Sequence, residues 1–512
     1  MQKHPFIQIA LFLSAFFLSG IVHAQKKTLE LLPGSEKIYF DKASGRHRLV
    51  GTVSFAYHGN TMYCDSAHYQ DKAKIVNAYG NVHIRKGDVN LYCDSLYYDE
   101  ANKYAKLWGD VRVRDQEYKL SSDSLDYDAK RGRAIYRNKG RIESIVSNER
   151  ITSKLGYFYP NNGSFFFSGD VKYVKNDLKV NTDTLQFAYE QQKLYFYGPS
   201  TMQNDSITIH CRKGWFHVQT EEGVLYKQAE VIQKTSIIKG DTLFLNTKLN
   251  NYEGRGNVFY KDFTQNMAFM GNKAKSSNSL HLAYLTGNTL AFKVYDGDTL
   301  YLHADSLIMH KDSLNRTTET LAHRHVRIYN KGMQGICDTA RYDPNSEELF
   351  LRSQPIIWSQ NAELKGLTMK ISMQDSSLKQ IEIMDQASAV MEIDSGNYYN
   401  QLAGRIMTAY FEKNELVKAD IKGNAWTIFY PEEEKKTDSS LVKIRKGMNR
   451  LYASDLLIDL DSGEVKSITY FDKPDGIFYP MNQIKAEEQF IKGFSWNPFL
   501  RPKSPYDIRK DY

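Results

Sequence analysis

The sequence predicts an all-β fold of repeated, bent strands stacked on one another, and three observations predict it. One phrase recurs as Met62-Tyr63-Cys64-Asp65-Ser66, Leu91-Tyr92-Cys93-Asp94-Ser95, Leu120-Ser121-Ser122-Asp123-Ser124 and Val180-Asn181-Thr182-Asp183-Thr184. Its first three aspartates are 29 residues apart, and Asp183 lies 60 beyond Asp123, about two more periods. A fixed period in this range marks one supersecondary unit stacked on copies of itself. A second phrase follows the first at a constant gap: Gly80-Asn81-Val82, Gly109-Asp110-Val111 and Gly169-Asp170-Val171. The composition is the third observation, with 35 Tyr and 26 Phe against 12 Pro. Aromatic residues suit a pleated, half-buried surface.

Along the chain, residues 1–24 read as a secretory signal peptide. Lys3 and His4 precede an apolar run from Phe6 to Leu18, and Val22-His23-Ala24 supplies a small-residue cleavage site. The mature chain is expected to start at Gln25 in the periplasm. Removing Lys3 takes the formal charge from +7 to +6. A mild positive excess in an exported protein suits anionic partners such as phosphorylated glycolipid or polysaccharide, and it also serves solubility.

One repeat shows the local logic. Leu91 and Cys93 share a face while Tyr92 and Asp94 point the other way, as a strand requires. Asp94-Ser95 interrupts the alternation, and Leu96 and Tyr98 restart it with shifted parity. Asp and Ser bond nearby backbone donors and support such a corner. Asp99 to Lys103 is a polar turn, Ala105 to Trp108 the next strand, and Gly109-Asp110 bends it before Val111-Arg112-Val113-Arg114 alternates apolar with basic. The expected corners are Asp65, Asp94, Asp123, Asp183 and Asp305 with Gly80, Gly109 and Gly169.

Residues 25–235 carry the strong repeats, and residues 236–495 continue them in degenerate form. Gly240-Asp241-Thr242-Leu243 and Gly297-Asp298-Thr299-Leu300 read as tight turns opening a strand. The tail, residues 496–512 with Pro498, Pro502 and Pro505, is expected to lie across the end of the stack or hang free. A unit that contacts mainly its neighbours cannot bury its apolar face alone, and the end strands need a cap or a partner.

Cys64, Cys93, Cys211 and Cys337 share one register, which Ala304 fills in Leu302-His303-Ala304-Asp305-Ser306. A slot shared by Cys and Ala is a small core slot. A Cys64–Cys93 disulfide is the alternative, if neighbouring repeats place the two on adjacent strands. Catalytic signatures are missing: there is no GxxxxGK[ST], HExxH or GxSxG. His323-Arg324-His325 sets two imidazoles on one strand face without a neighbouring ligand, and no metal or cofactor is expected. The corner aspartates form a ladder instead of converging on one site, so no enzyme is expected. Nucleic acid is not an expected partner of an exported chain.

The phrase apolar-x-small-Asp-Ser/Thr-apolar-x-Tyr-Asp, followed by Tyr/Trp-Gly-Asn/Asp-Val, resembles the OstA family. Leu91 to Asp99 with Trp108 to Val113, Leu120 to Asp128, Val180 to Tyr189 and Leu300 to Leu307 carry the resemblance. It implies an elongated, open β-jellyroll of antiparallel strands, in one run or two successive modules. It further implies that the apolar interior carries lipopolysaccharide acyl chains toward the outer membrane. The implied partners are lipopolysaccharide, other jellyroll-type transport proteins of the inner- and outer-membrane complexes joined by strand-edge pairing, and further copies joined end to end. The expected lipid-facing row is Leu91, Leu96, Leu120, Leu125, Val180, Leu185, Leu300, Leu302 and Leu307, and core packing is the alternative for each. Two rival readings stay open: a parallel β-helix enzyme acting on polysaccharide, and a structural or adhesive β-repeat protein.

Overall fold

The computed structural model describes residues 30–509 apart from 58–59, 160–163, 296, 315, 375–376, 395, 414, 437–440 and 462–463. The expected signal peptide lies outside the described residues. Strands of roughly the expected length follow one another along the chain, for example Ile75–Lys86, Val89–Asp99, Tyr104–Arg114 and Tyr118–Asp128. Each pairs antiparallel with the next. The antiparallel ladder excludes the parallel β-helix. Among the described residues the only helical segments are three-residue 3₁₀ turns.

The residues divide into two compact units, one holding the described residues up to 234 with 239–248, the other 235–238 with 249–509. In the first unit, side-chain alternation sets the inside. Phe55, Met62, Ile84, Leu91, Val113, Leu120, Ile142 and Ile151 stand opposite one another, strand after strand. All eight are buried. Past the middle of each strand the parity changes, and the inner row becomes Ala67, Ala78, Leu96, Leu107, Leu125 and Tyr136.

A β-bulge makes this change. Ser95 faces Tyr79 and Cys93 faces Val82, so Asp94 alone stands against Gly80 and Asn81. Two residues against one bend a strand and increase its twist. Gly80 and Asn81 both take positive φ, 71° and 43°, as do Gly109 and Asp110 at 77° and 44°. The two phrases of the repeat are therefore one device, with Asp on one strand set against Gly-Asn or Gly-Asp on the next. Asn81 Nδ2 donates to Asp65 Oδ2 at 2.9 Å. The corner bonds run between strands, where the sequence suggested local backbone donors.

The same pair of positive φ values recurs without glycine at Asn138-Lys139, Lys227-Gln228, Arg324-His325, Ser353-Gln354 and Asp385-Gln386. His325 is thus a bulge residue, and its Nδ1 lies 3.0 Å from Asp305 Oδ2. Gly240-Asp241 is a correction. It lies inside the strand Ser236–Asn246, with Gly240 and Leu243 buried and Asp241 exposed, the pattern of Cys93-Asp94. Glycine fills the small slot there, which made a corner read as a turn.

The second unit has an inner row of its own, Leu285, Leu307, Ala322, Ala340, Leu351 and Met369. Here the outer face of one half-sheet is also covered. From Met481 the chain runs back over that face, so the tail neither caps the stack's end nor hangs free. Gln401 holds the strap at Gln489 and Ile491, Glu363 at Asn497, Gln334 at Arg501, and Asn288 at Arg509. Ile491 and Ile508 are buried by this contact. Gln334, Trp358, Glu363, Val390 and Gln401 face outward, each opposite the next, and are buried beneath the strap.

His303 lies in this covered layer, its Nδ1–H donating to the Thr289 carbonyl at 2.6 Å. Burial holds its pKa below the ordinary value of 6.5, and the Arg327 and Arg509 charges add to the effect. The unfolded chain takes up this proton near pH 6.5 and the folded chain only at lower pH. Stability from this site is complete above about pH 6.5 and is lost as pH falls from there toward the depressed folded value. Melting curves between about pH 7.5 and 5.5 are expected to fall more steeply for the native chain than for His303→Gln. Equal slopes would show that the imidazole is not held neutral.

Candidate functional site

The site best supported by the fold is the interior between the two halves of the bent strands. In the first unit, Leu120 from before a bend and Leu125 from after it line one cavity with Ile142, Phe158, Phe165 and Phe167. The two half-sheets thus face each other across a shared apolar space. The row residues Leu91, Leu96, Leu120, Leu125, Val180, Leu185, Leu300, Leu302 and Leu307 are all buried on inward faces. Leu91, Leu120 and Val180 stand before their bends, and Leu96, Leu125 and Leu185 after them. Leu300, Leu302 and Leu307 occupy the interior of the second unit, with Ala291, Leu285 and Ile328 around them.

The cavity is small, about 30 Å³, with an almost wholly apolar lining. A void of that size holds a water molecule or two at most. Tyr136 fills much of the adjoining space. Its ring lies so close to Gly140 and Gly156 that a Cβ on either would fall 2.3 or 2.2 Å from a ring atom. Its hydroxyl is 2.6 Å from Ser153 Oγ. A second cavity of about 150 Å³, part polar, lies among Lys175, Leu178, Met202, Ile209 and Phe216.

One end of the interior in the first unit is polar. Glu149, buried, accepts hydrogen bonds from Tyr118 at 3.2 Å and Tyr173 at 2.9 Å, with Lys175 Nζ 3.6 Å away. Burial, and then the Glu149 charge, pushes both phenols well above their ordinary pKa. Sequence reasoning missed this group because Asn148-Glu149-Arg150 reads as a solvated turn. Only the inward parity of Glu149 with Ile151 marks it.

Among the described residues the cysteines are free and buried. Burial pushes each thiol up to about 12. The Cys64–Cys93 alternative fails on topology. Asn60–Gln70 and Val89–Asp99 both pair with Ile75–Lys86, which lies between them. Two strand spacings are about 9.6 Å, beyond disulfide reach.

Asp65 and Asp94 lie against Gly80 and Gly109, Asp183 against Gly198, and Lys154 against Gly169. Lys154 pairs with Asp170 at 2.5 Å. Asp123 faces the Asn138-Lys139 bulge, where Ser122 Oγ donates to the Lys139 carbonyl at 3.0 Å. Asp305 receives His325, and no group of three or more metal-ligating side chains occurs among the described residues.

Two family models match within the same region. Residues 33–183 match the family model described as OstA-like protein. Residues 150–251 match that of the LptA/(LptD N-terminal domain) LPS transport protein. Among solved structures, the chain is similar to LptH of Pseudomonas aeruginosa, described as the LptA-homologous periplasmic component of the lipopolysaccharide transport device. That similarity is 12% in identity, covers 20% of this chain and 75% of that one, and has a TM-score of 0.18. No curated protein matches the chain.

Proposed function

We propose, from the match of residues 33–183 to the OstA-like model and of residues 150–251 to the LptA/(LptD N-terminal domain) model, that the chain is a periplasmic, non-enzymatic bridge that carries lipopolysaccharide toward the outer membrane. The observation that supports this reading most is the inner row itself. It is apolar on strand after strand, from Phe55 through Leu91 and Leu120 to Ile151, and Leu125 from the other half-sheet lines the same cavity as Leu120. An acyl chain laid along that row would gain about 0.8 kcal/mol per methylene removed from water. The cavity of about 30 Å³ means that loading requires the half-sheets to part.

Strand-edge pairing supplies the connection to partner jellyrolls or to further copies. The strand Lys37–Asp41 pairs only with Arg46–Tyr57 among the described residues and is exposed along its whole length. Ile38 and Phe40 stand out from it at 56% and 59% exposure. An exposed edge with apolar side chains is a template for an added strand.

A photo-crosslinking residue placed at Leu91, Leu120 or Leu125 in cells is expected to capture lipopolysaccharide, while one at the outward Tyr97 or Lys106 is not. Absence of any inward capture would overturn the reading. The closed interior would then favour a structural β-repeat, the one rival that the tight packing supports.

A further inference from the structure

The outer face of the half-sheet before the bends differs between the two units. In the second unit the strap covers it. In the first unit no described segment covers it, and it is strongly basic.

One outward row runs Arg85, Asn90, Arg114, Lys119, Glu143 and Arg150, each opposite the next, and Lys179 ends it two strands on. The neighbouring row runs His83, Tyr92, Arg112, Ser121 and Arg141, then Thr152 and Lys172. Every Lys and Arg in both rows is exposed. Glu143 is the acid in their midst, paired with Lys119 at 2.9 Å and with Arg141, and Arg112 also meets Asp110 at 3.3 Å. Arg85 to Lys179 spans eight strands, about 34 Å at the usual strand spacing.

The face also carries flat rings. His83 stacks on Tyr92 at 4.4 Å and 6°, Tyr63 on His83 at 6.0 Å, and the Arg112 guanidinium lies 5.6 Å from the Tyr92 ring centre. Tyr63 and Tyr92 are 43% and 38% exposed, so the stack offers ring surface to solvent. The second row runs on through Asn181 and Thr201 to His210, which line an open polar groove of about 490 Å³.

We propose that this face binds the phosphorylated sugar chain of the glycolipid cargo, the guanidinium and ammonium groups taking phosphates and the exposed rings taking sugar faces. The identity of the cargo rests on the function proposed above. The chemistry of the face does not: a linear row of cations with aromatic platforms complements a chain of anionic sugars. A lone phosphate would leave most of the row unused.

The test uses the mature full-length protein and delipidated, phosphorylated core oligosaccharide, with its phosphatase-treated form, inorganic phosphate and phosphatidylglycerol vesicles as comparison probes. Binding is expected for the phosphorylated oligosaccharide and to weaken with salt. Arg85→Glu with Arg114→Glu is expected to weaken it by about tenfold or more, with the melting temperature unchanged because both side chains are exposed. Tyr92→Ala is expected to weaken it without changing the salt dependence. Equal binding of the phosphatase-treated form, full binding by the double variant, or binding of the vesicles but not of the oligosaccharide would each overturn the proposal. Interior crosslinking at Leu120 separates the two readings. Capture there without oligosaccharide binding defeats the basic face alone, and oligosaccharide binding without capture defeats the transport path alone.

Discussion

Gly109→Val is expected to destabilise the first unit by about 3 kcal/mol or more, the sum of a β-branched residue forced to positive φ and a steric clash. Gly109 has φ +77°, and a Cβ there would lie 2.2 Å from Asp94 Oδ2 and 2.6 Å from Asp94 Cβ. Neither strand yields easily, because Trp108 and Val111 are fixed in register with Ser124 and Ser122 on the far side. The two contributions separate in a double-mutant cycle with Asp94→Gly, which removes the opposing side chain and leaves the backbone strain. A coupling energy above about 1 kcal/mol is expected. Lys139→Gly runs the other way. Lys139 holds φ +79°, and glycine there relieves strain that lysine bears, stabilising by up to about 1 kcal/mol. Calorimetry of Gly109→Val, Asp94→Gly, their double variant and Lys139→Gly checks all of this. For a unit of this size about 3 kcal/mol corresponds to roughly 6–12 °C in melting temperature. A Gly109→Val protein melting within about 2 °C of the native chain would mean that the bulge tolerates a side chain and that the repeat's glycine has another cause.

The corners also show how far the sequence could be read. The 29-residue spacing of Asp65, Asp94 and Asp123 and the parity change between Cys93 and Leu96 were visible in one dimension, because both are local to a strand. The partnership of Asp94 with Gly109 was not visible, since it depends on register across strands. Bulges built from Arg324-His325 or Asp385-Gln386 left no trace, because those residues carry no conformational signature of their own. For the interior, alternation placed Leu91, Leu120 and Leu125 on the inward side, yet nothing in alternation reports how tightly opposing half-sheets pack. The volume of about 30 Å³ beside Leu120 and Leu125 is a property of Tyr136, Phe158 and Phe167 arriving from other strands. The strap was hidden for a related reason. Gln334, Glu363 and Gln401 sit at outward positions where polar residues ordinarily meet water, and the tail that buries them has no periodicity to betray its path.

Glu363 turns that hidden contact into the second large effect. Its side chain has no exposed surface. It accepts from Trp358 Nε1 at 2.9 Å, from the Asn497 backbone N–H at 2.8 Å and from Asn497 Nδ2 at 3.0 Å, and it pairs with Lys365 Nζ at 2.7 Å. Glu363→Ala takes this acceptor from three donors beneath the strap and leaves the Lys365 ammonium with Ser495 but without its counter-charge. Breaking a buried pair in this way costs about 3–5 kcal/mol, much of it the penalty of the partner left behind. Glu363→Gln keeps the shape and one acceptor oxygen and is expected to cost less. Asn497→Ala removes only the side-chain donor and should cost about 1–2 kcal/mol. The readout that distinguishes strap release from general weakening is local. Hydrogen exchange is expected to rise first at Asn497, Ile491 and Arg501 in the strap and at Gln334 and Gln401 under it, while the inner rows through Leu351 and Ile383 stay protected. Trp358 fluorescence should shift toward that of a hydrated indole in the same variants. If Glu363→Ala unfolds the inner rows and the strap together, the strap is part of the second unit's cooperative core. If strap and rows exchange as in the native chain, the carboxylate is not what holds the strap down.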